Sequence, residues 1–304
     1  MPEKLSTDQI TDLSVPAEML EETLKTLGAG TKNIERLPNL KVQLAKKDDQ
    51  NRRVPEGHFF LKHPQIEPAY APKVTFRPLS MLYQWIDYDQ ETNSVKNKTI
   101  LVPNFQEEPR DQLGTIRCGK PSSKVFRDLP KYEQKKYSTI RCFRQLRGVV
   151  SFTGTTADKE KVQFDREPCI LLLKGSNFIP FDNQVVNTLP ASRLFHEFNV
   201  QLEAEEMING AVTYYVIKFV PDYAKPLVFD PDTVKTMTMF KDMIQLENVS
   251  IETQHQNNLA KNQGKQYGTK IDKEEQVLTA KIINPRHQTE EEYDDDSLDD
   301  DFDN

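Results

Sequence analysis

The chain has 304 residues, 37% of them hydrophobic and 29% charged, with a net charge of −7. That length fits one large or two modest domains, and 16 Phe and 10 Tyr can furnish a core if long polar segments stay outside it. Three cysteines exclude a disulfide framework, no run reaches the roughly 20 apolar residues of a membrane span, and the start Met-Pro-Glu-Lys lacks a secretory apolar region, so a cytoplasmic protein is expected.

Residues 1–57 read as a helical arm and a polar linker. Pro16 suits a first helical position, and Glu18, Glu21 and Glu22 suit the positive end of the helix dipole. Leu20, Leu24 and Leu27 share a face, and Gly28 and Gly30 stop the helix. Lys46, Lys47, Arg52 and Arg53 mark the linker as basic.

Residues 58–230 read as the β-rich body. Prolines at 64, 68, 72, 78 and 103 exclude long helices early on. Alternation predicts strands around Val74, Phe76 and residues 82–88, with a turn at 93–94 and a return strand over 98–102. The single Trp85 is expected in the core. Residues 104–136 carry turn formers and form a long connection. Over residues 137–152 the even positions Ile140, Cys142, Leu146, Val150 and Phe152 suit a core face, interrupted by Arg144. The odd positions Tyr137, Thr139, Arg141, Phe143, Gln145 and Arg147 fall on the other face, where rings and guanidiniums alternate.

The run Pro-Cys-Ile-Leu-Leu-Leu-Lys at 168–174 reads as a strand buried on both sides, with Cys169 an inert thiol. Residues 194–220 read as a hairpin turning at Asn209-Gly210. Roughly five to seven strands without alternating helices exclude a parallel α/β sheet. The class expected is mainly β: an OB-like antiparallel barrel, the barrel most used to hold single strands. Residues 231–262 read as a helix after the barrel, polar and frayed beyond Gln254. Residues 263–304 read as a disordered linker and acidic tail.

Charge is segregated along this chain. Residues 113–148 hold ten bases against two acids, a net charge of +8, while residues 290–304 hold ten acids and no base. Cations spaced along the first stretch suit phosphates, and rings between them suit unpaired bases. The candidate nucleic-acid-binding set is Arg117, Lys120, Lys124, Phe126, Arg127, Lys131, Tyr132, Lys135, Lys136, Tyr137, Arg141, Phe143, Arg144 and Arg147. In the tail, Asp299, Asp300, Asp301, Phe302 and Asp303 form a candidate partner-binding peptide that can also compete with DNA for the basic groove.

The sequence carries no catalytic set. Lys174-Gly175-Ser176 lacks the earlier glycine of a phosphate loop, and no Gly-x-Ser-x-Gly elbow occurs. His58, His63, Cys118 and Cys142 lack the close spacing of a zinc site. Asp87 and Asp89 read as turn decoration. The reading is therefore a non-enzyme with no cofactor and no metal.

This layout resembles the phage and bacterial single-stranded-DNA-binding proteins. The matching parts are the body over residues 73–220, the basic segment 117–147, and the tail with Phe302. The resemblance implies sequence-independent protection of single-stranded DNA in replication, recombination and repair. It also implies tail contacts to a polymerase or helicase-primase. Phe302 is followed by Asp303 and Asn304, whereas the bacterial family ends on its aromatic. The helices flanking the barrel exceed a minimal OB protein and suit homo-oligomer contacts. The alternatives are a viral assembly or scaffold protein without nucleic-acid affinity, and an RNA-binding regulator.

Overall fold

The computed structural model describes residues 37–268 except 64, 90 and 93, with side chains as far as residue 261. The expected N-terminal helix and the acidic tail lie outside these residues. The described chain is mainly β, with a helix after the sheet, as expected. Nine strands join one curled sheet: β1 (Asn39–Val42), β2 (Phe59–Lys62), β3 (Ala69–Tyr70), β4 (Lys73–Tyr88), β5 (Val95–Lys98), β6 (Ile140–Thr156), β7 (Lys161–Leu173), β8 (Val200–Asn209) and β9 (Val212–Pro221). The order is β2-β1-β7-β6-β4-β8-β9, with β3 beside β6 and β5 beside β4. Only the β1–β7 pair is parallel among these strands.

The core lies inside the curl. On β6 the even residues Leu146, Val150 and Phe152 meet Leu171 of β7, Phe76 of β4 and Leu202 of β8. Each such buried Phe or Leu contributes roughly 1.5–3 kcal/mol. Gly148 sits in mid-strand because a Cβ there would stand 2.2 Å from the Arg77 carbonyl oxygen. Cys169 is fully buried as expected, and burial pushes its thiol far above the usual range. Trp85 is also buried, stacked on Phe105.

Two segments differ from expectation. Within the stretch read as linker, Leu40 and Val42 alternate with Lys41, and this short run becomes β1, an inner strand between β2 and β7. The connection 104–136 is ordered by local bonding. The buried Asp111 carboxylate accepts N–H groups of Leu113, Thr115 and Cys118. Short helices follow, α1 (Ser123–Asp128) and α2 (Lys131–Gln134). The expected hairpin is present, its loop one residue later than the sequence signal. Asn209 pairs with Val212, so Gly210, at φ +58°, takes the first loop position.

The helix is α3 (Pro231–Gly268). Asp230 caps it by accepting the Thr233 N–H at 2.7 Å, ahead of a proline at the first position. The expected fraying beyond Gln254 is not found. Polar side chains on one face bind carbonyls of the connection instead. Asn248 bonds both the N–H and C=O of Leu101, His255 Nδ1 lies 2.9 Å from the Asp111 carbonyl oxygen, and Asn258 donates to Gln112. Among the described residues no helix is long and apolar enough to cross a membrane.

Candidate nucleic-acid interface

Register fixes which side chains share the outer face of the sheet, since paired residues point the same way. Arg144 pairs with Leu173 and Leu40 with Leu171, all on the core side. The neighbours Phe143, Lys174 and Lys41 therefore face outward, with Arg141, Gln145 and Arg147 of β6. The expected period-2 split of residues 140–147 holds. The outer face, however, divides into two unlike halves.

One half lies under α3. Arg147 is only 2% exposed. Its guanidinium meets Glu247 of α3 at 3.1 Å and Gln145 Oε1 at 2.7 Å. Glu247 also takes Lys98 at 2.9 Å. Burial alone would raise the Glu247 carboxyl, but Lys98 and Arg147 outweigh it and hold it below the usual range. Arg77 is likewise tied to Thr233 and to the Val228 and His196 carbonyls.

The other half gathers cations. Lys62 on β2, Lys41 on β1, Lys174 just past β7, Arg141 on β6 and Lys120 form a row. Partial burial, together with Lys62 and Lys174, lowers the Lys41 ammonium; opposing Asp49 is weaker than Lys62. Burial and Arg141 lower both Lys174 and Lys120. Among the described residues no carboxylate lies within ion-pair distance of Lys41 or Lys174. Lys62 is paired with Asp49 at 2.7 Å in an exposed contact. Lys174 lies 5.7 Å over the Phe143 ring, and Tyr88 packs 5.9 Å from the same ring.

The helical turns after Lys120 extend this row. Lys120 donates to the Ile140 carbonyl at 3.1 Å and stands over the Phe126 ring, which packs edge-on against Tyr137. Lys124, Arg127, Lys131, Lys135 and Lys136 are exposed on α1, α2 and the turn that follows. Tyr132 is 69% exposed, the most open ring of the expected set. Arg117 is half-buried over Trp85.

Three expected contacts are corrected by burial. Phe143, expected as an exposed ring, is 4% exposed because Tyr88 and Lys174 cover it. Arg147 is sealed by α3. Arg144 points into the core, ion-paired with Asp182, bonded to the Phe178 carbonyl at 2.7 Å, and boxed by Tyr83, Phe178 and Phe181. The tail set 299–303 lies outside the described residues. Sequence reasoning did not single out Lys41, Lys62, Lys174 or Tyr88. An available signal was the alternation Leu40-Lys41-Val42-Gln43-Leu44.

Among the described residues no three His, Cys, Asp or Glu side chains group as metal ligands. No protein-family model, curated protein or solved structure matches this chain.

Proposed function

We propose that the chain binds single-stranded nucleic acid without sequence preference, across the open half of the outer face. The observation that carries this is the row Lys62, Lys41, Lys174, Arg141 and Lys120. Five separate segments bring like charges together, against mutual repulsion. A polyanion laid across the row relieves that repulsion and releases its own counterions. Tyr132 and Tyr88 are the rings positioned to stack on bases.

The topology supports an OB-like reading. Taken as strands one to five, β4, β6, β7, β8 and β9 lie in the order three-two-one-four-five. An OB barrel has its strands in this order, and on this reading the sheet does not close between the third and fifth strands, where β1 pairs with β7 instead. The Asn177 and Gln184 side chains bridge the opening by bonding Ile217 N–H and Phe219 N–H of β9. In such barrels the ligand lies on the face of strands two and three and on the first loop. Here those are β6, β7 and the basic connection. The acidic tail, with Phe302 among Asp299, Asp300, Asp301 and Asp303, competes for the same face and recruits replication partners.

Fluorescence anisotropy with labelled dT and rU oligomers, at low and high salt, tests the reading. The expected result is tight dT binding that weakens steeply with salt. Neutralising Asp299, Asp300, Asp301 and Asp303 to Asn in the full chain should strengthen it. Preference for rU would reassign the ligand to RNA. Absence of binding to either oligomer would leave the assembly-protein reading.

A further inference from the structure

The first half of α3 borders an apolar groove of about 880 Å³, lined by Leu79, Phe229, Val234, Met237, Ile244 and Val249 among others. Val234 and Val249 are about half exposed there, and Phe229 is 42% exposed. A continuous apolar patch of this kind on a soluble face marks a contact surface. We propose that the groove is filled by the chain's own segment Val277 to Ile283, which folds back along α3.

The sequence of that segment is Val-Leu-Thr-Ala-Lys-Ile-Ile, between the polar stretch 269–276 and Asn284-Pro285. In extended form Leu278, Ala280 and Ile282 line one edge, all apolar. Reach closes on the groove. Eight residues lie between Gly268 and Val277, and the nine steps extended span at most about 30 Å. Val249 lies 19 residues back along the helix, about 28 Å at 1.5 Å per residue. At full extension Val277 can therefore reach the level of Val249. The run onward to Ile283 covers about 20 Å, the rise of roughly 13 helical residues. It ends near Met237 and Val234, at the other end of the groove. An apolar run matched in length to an apolar groove, and tethered at the distance needed to meet it, is the occupant the chain itself supplies.

Limited trypsinolysis of the full chain, read by mass spectrometry, tests this. A docked segment must detach before a protease can thread it. Cleavage after Lys281 should be at least tenfold slower than after Lys270, at any protein concentration. Val249→Asp in the groove and Ile282→Asp in the segment should each restore fast cleavage. Val249 is exposed, and unchanged near-ultraviolet circular dichroism would establish that each variant folds. Equal cleavage after Lys281 and Lys270 in the unsubstituted chain would overturn the proposal. Protection that disappears on dilution would assign the groove to a second copy. Protection lost at Lys25 instead of Lys281 in Val249→Asp would assign it to the amino-terminal segment. Either result also overturns the proposal.

Discussion

Arg147 and Arg141 stand on the same face of the same strand, six residues apart, and meet different surroundings. Arg147 lies beneath α3, where Glu247 supplies the opposite charge. Arg141 is half-buried beside Lys174 and Lys120. Taking a guanidinium out of water costs several kcal/mol, offset only when a carboxylate and further hydrogen bonds accompany it. The alternating pattern of rings and cations therefore does not distinguish a binding face from a docking face. What distinguishes them is burial beneath a helix, and the Glu247 that pairs with Arg147 arrives from 100 residues away.

The largest expected effect tests the strand that carries both residues. Gly148→Ala places a methyl 2.2 Å from the Arg77 carbonyl and 2.7 Å from the Phe76 ring. Backbone cannot retreat there without breaking the β4–β6 ladder, so a loss at or above the roughly 1–3 kcal/mol of ordinary overpacking is expected. Urea denaturation reads it directly. A loss below that range would show the ladder to be looser than its register implies.

Arg147→Ala comes next and separates the two halves. It leaves Gln145 and Glu247 without their buried partner, and roughly 3 kcal/mol of destabilisation is expected, moderated because Lys98 still holds Glu247. Its salt slope for oligonucleotide binding should match the unsubstituted protein. Lys41→Ala, Lys62→Ala and Lys174→Ala combined should do the reverse. Stability should change little, since these side chains are exposed and the Lys62–Asp49 pair is a solvent-exposed contact of small worth. The slope of log K against log salt should fall by about 2, at roughly 0.7 per phosphate contact on single strands. Equal slopes in both variants would remove the basis for dividing the face.

These two halves also mark how far the sequence could be read. The alternation over residues 137–152 separates Leu146 and Val150 from Phe143 and Arg147, because period 2 is a local property of a strand. The buried run at 168–174 and the glycine turn of the hairpin are local in the same sense. Cover is not local. Nothing within ten residues of Arg147 announces Glu247, and α3 docks through the buried Phe240 and Ile251 and through Asn248, His255 and Asn258, of which the last two fall in the polar stretch read as a fraying end. The row Lys62-Lys41-Lys174 is equally hidden, since each lysine is unremarkable in its own segment. Only the pairing of β2, β1 and β7 sets them side by side.

The smallest expected effect is a pH dependence, and it asks whether the covered half is held by charge. The folded Glu247 carboxyl sits below its ordinary value, so its ion pairs with Lys98 and Arg147 stabilise the protein above the unfolded value of about 4.3. That contribution fades as pH falls from there through the folded value. Glu247→Gln keeps the shape of the side chain and removes the charge. It should be less stable than the unsubstituted protein at neutral pH, and the gap should narrow on acidification below about pH 4.3. Thermal melts across that window measure the gap. A gap that stays constant with pH would mean that hydrogen bonding, not charge, secures α3 over Arg147. In that case the two halves of the face would differ in shape alone, and Arg147 would become available to anions wherever the helix lifts.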